Sequence, residues 1–161
     1  NLHGAMHLAR EIILNICLEE LSINLAHIRP TLIYGKKDPH SGYGPNLFRR
    51  KLEESQDIIL FGEGEELRDH IYIDDVSSLV QKMVLNQSIG SLNAVTGDVK
   101  SFEQIAELMK KIFDNKSAIK KTKRMTPMPH NGYRAFDSSL ISKSFPDFKY
   151  TDLLKGLNKL L

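Results

Sequence analysis

Residues 62–75, GEGEELRDHIYIDD, combine a glycine turn, an arginine and several carboxylates in one short segment. The alternating apolar residues after Arg68 predict a strand, and Asp74 is placed to cap the helix that follows it. An arginine just before a strand is placed to reach a cleft, where its planar guanidinium suits bidentate binding of a phosphate. The neighbouring Asp69 would orient that guanidinium. Spacing alone leaves the alternative open, an exposed surface arginine beside an ordinary helix cap.

His3 and His7 are four residues apart, a spacing that places both imidazoles on one face of a helix. The same spacing occurs in metal sites, but a zinc-protease helix has Glu where this chain has Gly4, and no third ligand is evident. We therefore expect no metal site. Three other histidines are expected to be structural or solvated: His27, His40 and His130.

The elements that must position these residues follow from hydrophobic periodicity and turn signals. Helices are predicted at residues 4–21, 47–55 and 151–161. Two further helices are predicted, one from Asp74 onward and one after a capping box formed by Ser101 and Gln104. Strands are predicted at residues 25–35, 57–61, 70–73 and 92–95, and Asn46 is expected to cap the second helix. Pro30 makes the first strand irregular. Alternating strands and helices indicate an α/β fold.

Composition excludes several classes of protein. Lys and Arg number 22 against 20 Asp and Glu, so the net charge of +2 lacks the basic excess of nucleic-acid-binding domains. Residues 116–124 are basic, but no aromatic residue is interleaved to stack on bases. Cys17 is the single cysteine and cannot form a disulfide within the chain. No apolar run approaches the roughly 20 residues that span a bilayer, so we expect no membrane partner and a cytoplasmic location.

Four segments resemble the extended short-chain dehydrogenase/reductase proteins, the group of nucleotide-sugar epimerases, dehydratases and reductases. The first is residues 62–75, and the second is HIRPTLIYG at residues 27–35, which resembles the family's strand ending in Arg-Pro and Tyr-Gly. The others are Asn93, Thr96, Gly97 and Ser101, and then Gly132, Tyr133, Arg134, Asp137 and Ser138. The resemblance covers nearly the whole chain.

Residues 3–11, HGAMHLARE, resemble the family's catalytic helix, in which a Tyr is the general acid/base. In that helix a Lys holds the nicotinamide ribose and lowers the pKa of the Tyr. Here His3 stands at the Tyr position and His7 at the Lys position, so the resemblance implies that both are catalytic and that His7 contacts the cofactor. Leu32 stands where many relatives have an Asn that contacts substrate phosphate, and Leu cannot make that bond.

The resemblance implies the C-terminal part of a Rossmann-like fold that lacks its N-terminal dinucleotide-binding half, since no glycine-rich turn here joins a strand to a helix. We expect one domain over residues 1–161. Residues 1–22 would be the remnant of the catalytic helix, and the remaining Rossmann-like strands and helices would interleave with the substrate-binding subdomain. The missing initiator Met predicts a fragment of a longer protein. NAD or NADP is expected in the intact protein, and none on this chain alone.

The implied substrate is a nucleotide sugar. Arg68 and Arg134 would hold its diphosphate, and Asn46 with the loop at residues 38–45 would border the sugar and nucleotide. Tyr34, Gly35 and His70 would lie near the sugar or nicotinamide. The first helix is expected to form a homodimer interface, and the isolated chain is expected to be inactive. The alternative is a non-catalytic protein that binds nucleotide sugars or serves as a subunit partner.

Overall fold

The computed structural model describes residues 2–40, 42–114 and 116–161. Its helices are Leu2–Glu20 (α1), Pro45–Glu53 (α2), Ile73–Leu85 (α3), Phe102–Phe113 (α4), Ser139–Ser144 (α5) and Leu153–Asn158 (α6), with a 3-10 turn at Pro129–Gly132. Its strands are Ala26–Pro30 (β1), Leu32–Tyr34 (β2), Ile58–Phe61 (β3), Leu67–Tyr72 (β4), Gly90–Ala94 (β5), Val99–Ser101 (β6), Ile119–Thr122 (β7) and Tyr133–Arg134 (β8). Helices and strands alternate, and the predicted α/β class is confirmed.

The single strand predicted at residues 25–35 is in fact two strands with different partners. β1 pairs in parallel with β5, and β2 pairs in parallel with β4. Thr31 lies between them, donating its backbone N–H to the Ala94 carbonyl at 3.1 Å and its hydroxyl to the Asp69 carbonyl at 2.9 Å. Thr31 therefore bonds to both neighbouring strands at the point where the chain changes partner.

β4 is the strand around which the site is built. It pairs in parallel with β2 and β8 and antiparallel with β6, while β3 and β7 form a separate parallel pair. The register places Arg68 on β4 opposite Arg134 on β8 and opposite Lys100 on β6. Three cationic residues therefore stand side by side across three strands.

Alternate residues of β4 contribute to two separate apolar clusters, as the two-residue period of a strand requires. Tyr72 belongs to the larger cluster and Ile71 to the smaller one. The larger cluster also contains Tyr34, Phe48, Leu52, Ile58, Leu60, Phe102, Ile105, Ala106, Met109, Leu157 and Leu160. The smaller cluster also contains Leu79, Met83, Leu92, Ala94 and Ile141. β4 is thus packed against apolar side chains on both of its faces.

The structure corrects the predicted cap of α3 and identifies the cap of the final helix. α3 begins at Ile73 after Tyr72, so Asp74 lies in the first turn of the helix and is not its cap. Asp75 is buried and accepts hydrogen bonds from the Thr151 N–H at 2.9 Å and the Thr151 hydroxyl at 2.8 Å. The final helix is capped by Asp152, whose carboxylate accepts from the backbone of the first turn.

α1 has no buried residue along its length. An ion pair joins Glu11 on the helix to Arg29 on β1, and His27 on β1 bonds to the Asn15 side chain at 3.1 Å. These contacts fix how α1 lies against β1 and therefore where its first turn points. No helix within the described ranges is long and apolar enough to cross a membrane.

Candidate functional site

A cavity of about 1000 Å³ lies where β2 and β4 end, between the first turns of α1 and the loop that precedes α2. Its lining includes His3 and His7 from α1, Asn46 from α2 and His70 from β4. β2 and β4 are parallel, so their carboxyl ends meet at one edge of the sheet, where α/β folds commonly bind ligands. Four predicted site residues from three segments are thus brought together.

His70 is a buried imidazole, and neither of its nitrogens has a hydrogen-bond partner of ordinary geometry among the described residues. Its ring packs edge-on against Phe102, with 5.9 Å between ring centres, and beside the backbone of Gly44. Burial lowers the pKa of His70 to about 4; the Arg68 backbone opposes this shift and the Arg68 charge adds to it. A buried polar group without a partner is costly, and burial keeps this ring in its neutral form.

Asn46 shapes the cavity and does not cap the helix. The structure places Gly44 at the cap position and Asn46 inside the first turn of α2. The Asn46 amide oxygen accepts from the Gly35 N–H at 3.1 Å, and its amide nitrogen donates to the Asp38 carboxylate at 2.7 Å and to the Ile33 carbonyl at 3.4 Å. Asn46 therefore fixes the loop against the end of β2.

Tyr34 is a core residue, which corrects its prediction as a residue of the cleft. Its side chain is 1% exposed and packs against Tyr72, and it is absent from the lining of the cavity. A Cβ at Gly156 would overlap the Tyr34 hydroxyl oxygen, so α6 approaches the ring closely. Burial raises the pKa of Tyr34, with the Asp75 carboxylate adding to that shift.

Arg68 is buried beside Glu66 and does not extend into the cavity. Its guanidinium lies 2.9 Å from the Glu66 carboxylate and donates to the Pro129 carbonyl at 3.2 Å. Asp69, expected to orient this guanidinium, instead accepts from the Thr96 hydroxyl at 2.7 Å on the other face of the strand. Glu66 is therefore the residue that orients Arg68, a role that the sequence pattern did not indicate.

Arg134 is the exposed cation of this region. It stands opposite Arg68 in the strand register, and its guanidinium carbon lies 5.4 Å from the centre of the Phe136 ring. Arg124, which the sequence did not single out, lies 2.7 Å from Glu66. Burial lowers the pKa of Arg68, and the positive charges of Arg134 and Arg124 add to that shift, although Glu66 opposes it. We call these three arginines and Glu66 the arginine cluster.

The first turns of α1 carry a chain of hydrogen-bonding side chains. His7 Nε2 lies 3.2 Å from His3 Nε2, and Arg10 Nη2 lies 2.7 Å from His7 Nδ1. Arg10 was not among the predicted site residues, although its position three residues after His7 was a readable signal. Among the described residues, no group of three side chains suited to a metal ion is found.

The glycine turn at residues 62–64 does not form a cradle for a dinucleotide. It joins β3 to β4, not a strand to a helix. A Cβ at Gly64 would lie 3.0 Å from the Glu103 backbone nitrogen, so this glycine permits close packing on α4. This turn therefore lacks the strand–turn–helix geometry that holds the pyrophosphate of a dinucleotide.

The fold and the cavity define a class, the α/β proteins that bind ligands at the carboxyl ends of parallel strands. The model of the NAD dependent epimerase/dehydratase family matches residues 1–95, more than half of the 161 residues. The chain belongs to that family, which confirms the resemblance found in the sequence.

The chain is also similar to individual relatives and solved structures. The UDP-glucose 4-epimerase of Mycolicibacterium smegmatis is 32% identical over 76 residues, which are 46% of this chain and 24% of that protein. The solved UDP-glucose 4-epimerase of Thermotoga maritima with UDP-glucose has a TM-score of 0.78 and 21% identity over 95% of this chain and 50% of that one. The UDP-N-acetylglucosamine 4-epimerase of Methanobrevibacter ruminantium with UDP-N-acetylmuramic acid has a TM-score of 0.82 and 16% identity over 97% and 51%. The chain thus spans about half the length of these solved structures.

Proposed function

We propose that the chain is the substrate-binding portion of an NAD(P)-dependent nucleotide-sugar epimerase, dehydratase or reductase. The observation that carries this proposal is the cavity at the ends of β2 and β4, where His3, His7 and His70 converge. Arg68, which belongs to the arginine cluster, lies two residues before His70 and on the same face of β4. A sugar in the cavity and a diphosphate at the arginines would lie next to each other along one strand.

The diphosphate site in this proposal consists of Arg134 and Arg68. Arg134 is exposed and free to form charge-assisted hydrogen bonds with a phosphate. Arg68 adds a second charge beside it, since the two residues are register partners. The three arginines of the cluster outnumber its single carboxylate, Glu66, so the field favours an anion.

The chemistry in this proposal belongs to the histidine pair. His3 would exchange a proton with a sugar hydroxyl, and His7 would hold His3 and contact the nicotinamide ribose when NAD(P) is bound. The chain alone would bind the nucleotide sugar without turnover, since its glycine turn at residues 62–64 does not join a strand to a helix as a dinucleotide site requires.

Calorimetric titration of the chain with UDP-glucose tests the binding. We expect binding that weakens as salt concentration rises, and we expect Arg134→Ala to weaken it about tenfold or more, because a hydrogen bond to a charged group contributes roughly 1.5–3 kcal/mol. Lys82→Ala is the matched control, because it removes an exposed cation from α3, outside the cavity and the cluster. Equal losses in the two variants, or no binding to the unaltered chain, would contradict the proposal.

Catalysis is tested separately by supplying NAD to the same protein with UDP-glucose and following the sugar product. We expect binding without product. Product formation would overturn the assigned inactivity of the chain. In a longer form of the protein, turnover that depends on His3 would support the enzyme, while binding without turnover would favour the alternative of a non-catalytic nucleotide-sugar-binding protein.

A further inference from the structure

We propose that Arg10, acting through His7, fixes the protons of the histidine pair so that His3 offers an N–H donor to the cavity ligand. This inference rests on the proposed function only for the identity of that ligand. Arg10 is a positioning residue in this scheme, because it bonds to His7 and not to the cavity ligand.

The three side chains lie along one face of α1. His3, His7 and Arg10 follow the spacing of four and then three residues that brings side chains together on a helix surface. The contacts are 3.2 Å between the two Nε2 atoms and 2.7 Å between Arg10 Nη2 and His7 Nδ1. The imidazole rings meet edge to face, with 4.5 Å between their centres and planes inclined by 80°.

The direction of each bond follows from the chemistry of the guanidinium. Arginine carries only N–H donors, so His7 Nδ1 must accept and cannot carry a proton. The proton of neutral His7 is therefore on Nε2, and it is donated to His3 Nε2. His3 Nε2 is then the acceptor, which leaves the proton of His3 on Nδ1. One fixed donor thus determines the tautomers of both rings.

This arrangement restricts what His3 can do. The Nε2 lone pair of His3 is occupied by His7, so the free ring atom is the protonated Nδ1, a hydrogen-bond donor. His3 would therefore donate to a sugar oxygen in the resting site. It can accept a proton only after its contact with His7 is broken. A phenol in the same place would rotate its single hydroxyl freely and carries no such restriction.

Long-range ¹H–¹⁵N NMR of the chain, at about pH 8 and above the ordinary imidazole pKa of roughly 6.5, reads each tautomer directly. We expect His3 in the Nδ1–H form, which an unconstrained histidine in water populates less. In Arg10→Ala the two directions of the His3–His7 bond become equivalent, so the Nδ1–H fraction of His3 should fall by about half. Arg10→Lys retains a donor and should preserve it.

Asn15→Ala is the matched control, because it removes the side-chain partner of His27 from the same helix without touching the pair. It should change the signals of His27 and leave those of His3 unchanged. A His3 that is mainly Nε2–H in the unaltered chain, or that keeps its tautomer in Arg10→Ala, would overturn the inference. The spectra need no nucleotide sugar, so either result is independent of whether the chain binds UDP-glucose.

Discussion

His70 places an imidazole in the interior, where neither nitrogen has a hydrogen-bond partner of ordinary geometry among the described residues. Its position on β4 between Arg68 and Tyr72 follows from the strand period, and Phe102 and Gly44 close around the ring. Because water is excluded, the neutral form is favoured and the pKa of His70 falls to about 4. A buried histidine in this state lowers the stability of the fold in acid.

We predict that the chain loses about 3 kcal/mol of unfolding free energy between pH 6.5 and pH 4, since His70 takes up its proton near 6.5 when unfolded but near 4 when folded. The full stability is present above pH 6.5 and declines as the pH falls, because only the unfolded state binds the proton in that range. Urea unfolding across this range measures the loss. His70→Phe should flatten the profile.

His130→Gln serves as the control for the His70 variant, because it removes an exposed histidine from the 3-10 turn. Its pH profile should match that of the unaltered protein. If His70→Phe retains the same decline between pH 6.5 and pH 4, then carboxylates account for the acid loss, and the proposed state of His70 is wrong.

At the scale of elements, local signals could be read from the sequence and distant partners could not. The capping box was confirmed: Ser101 and Gln104 are three residues apart, with the Gln104 N–H 3.1 Å from the Ser101 hydroxyl and the Ser101 N–H 2.8 Å from the Gln104 side chain. The division of the strand at Thr31 was missed, because it depends on which of β4 and β5 lies beside each half. The pairing partners belong to segments that lie far along the chain.

The candidate site shows the same difference between local patterns, which can be read from the sequence, and distant contacts, which cannot. His3, His7 and Arg134 were proposed from short segments that resemble the family, and Arg68 also from its own local pattern, because each lies in a short stretch of sequence. Glu66 was missed as the partner of Arg68, because its role depends on burial that no local pattern reports.

We predict that Ser101→Ala lowers the free energy of unfolding by about 1 kcal/mol, because a helix N-cap side chain contributes roughly that amount. The loss should appear as a lower midpoint in urea with an unchanged slope. Ser78→Ala is the matched control, an exposed serine inside α3 where alanine has the higher helix propensity. Equal destabilisation by both variants would show that the cap adds nothing.

At the scale of the whole molecule, apolar surface is unevenly distributed. Several large apolar side chains of α1 are about half exposed: Leu8, Ile12, Ile13 and Ile16. A groove of about 670 Å³ also lies between β1 and α3, where Val84 is 70% exposed. Contiguous apolar surface of this kind commonly marks a protein–protein contact. The proposed homodimer through α1 would cover the first of these two surfaces.

We predict a dimer that depends on α1, measured by sedimentation over a range of protein concentrations. Ile13 and Ile16 share a face of the helix, and each buried isoleucine contributes roughly 1.5–3 kcal/mol, so the double variant Ile13→Glu, Ile16→Glu should weaken dimerisation more than about tenfold. Val84→Glu introduces a single carboxylate into the groove and should leave the dimer intact. Each variant adds charge to only one of the two surfaces. If Val84→Glu dissociates the dimer and the α1 variant remains dimeric, the dimer interface is the groove and not α1.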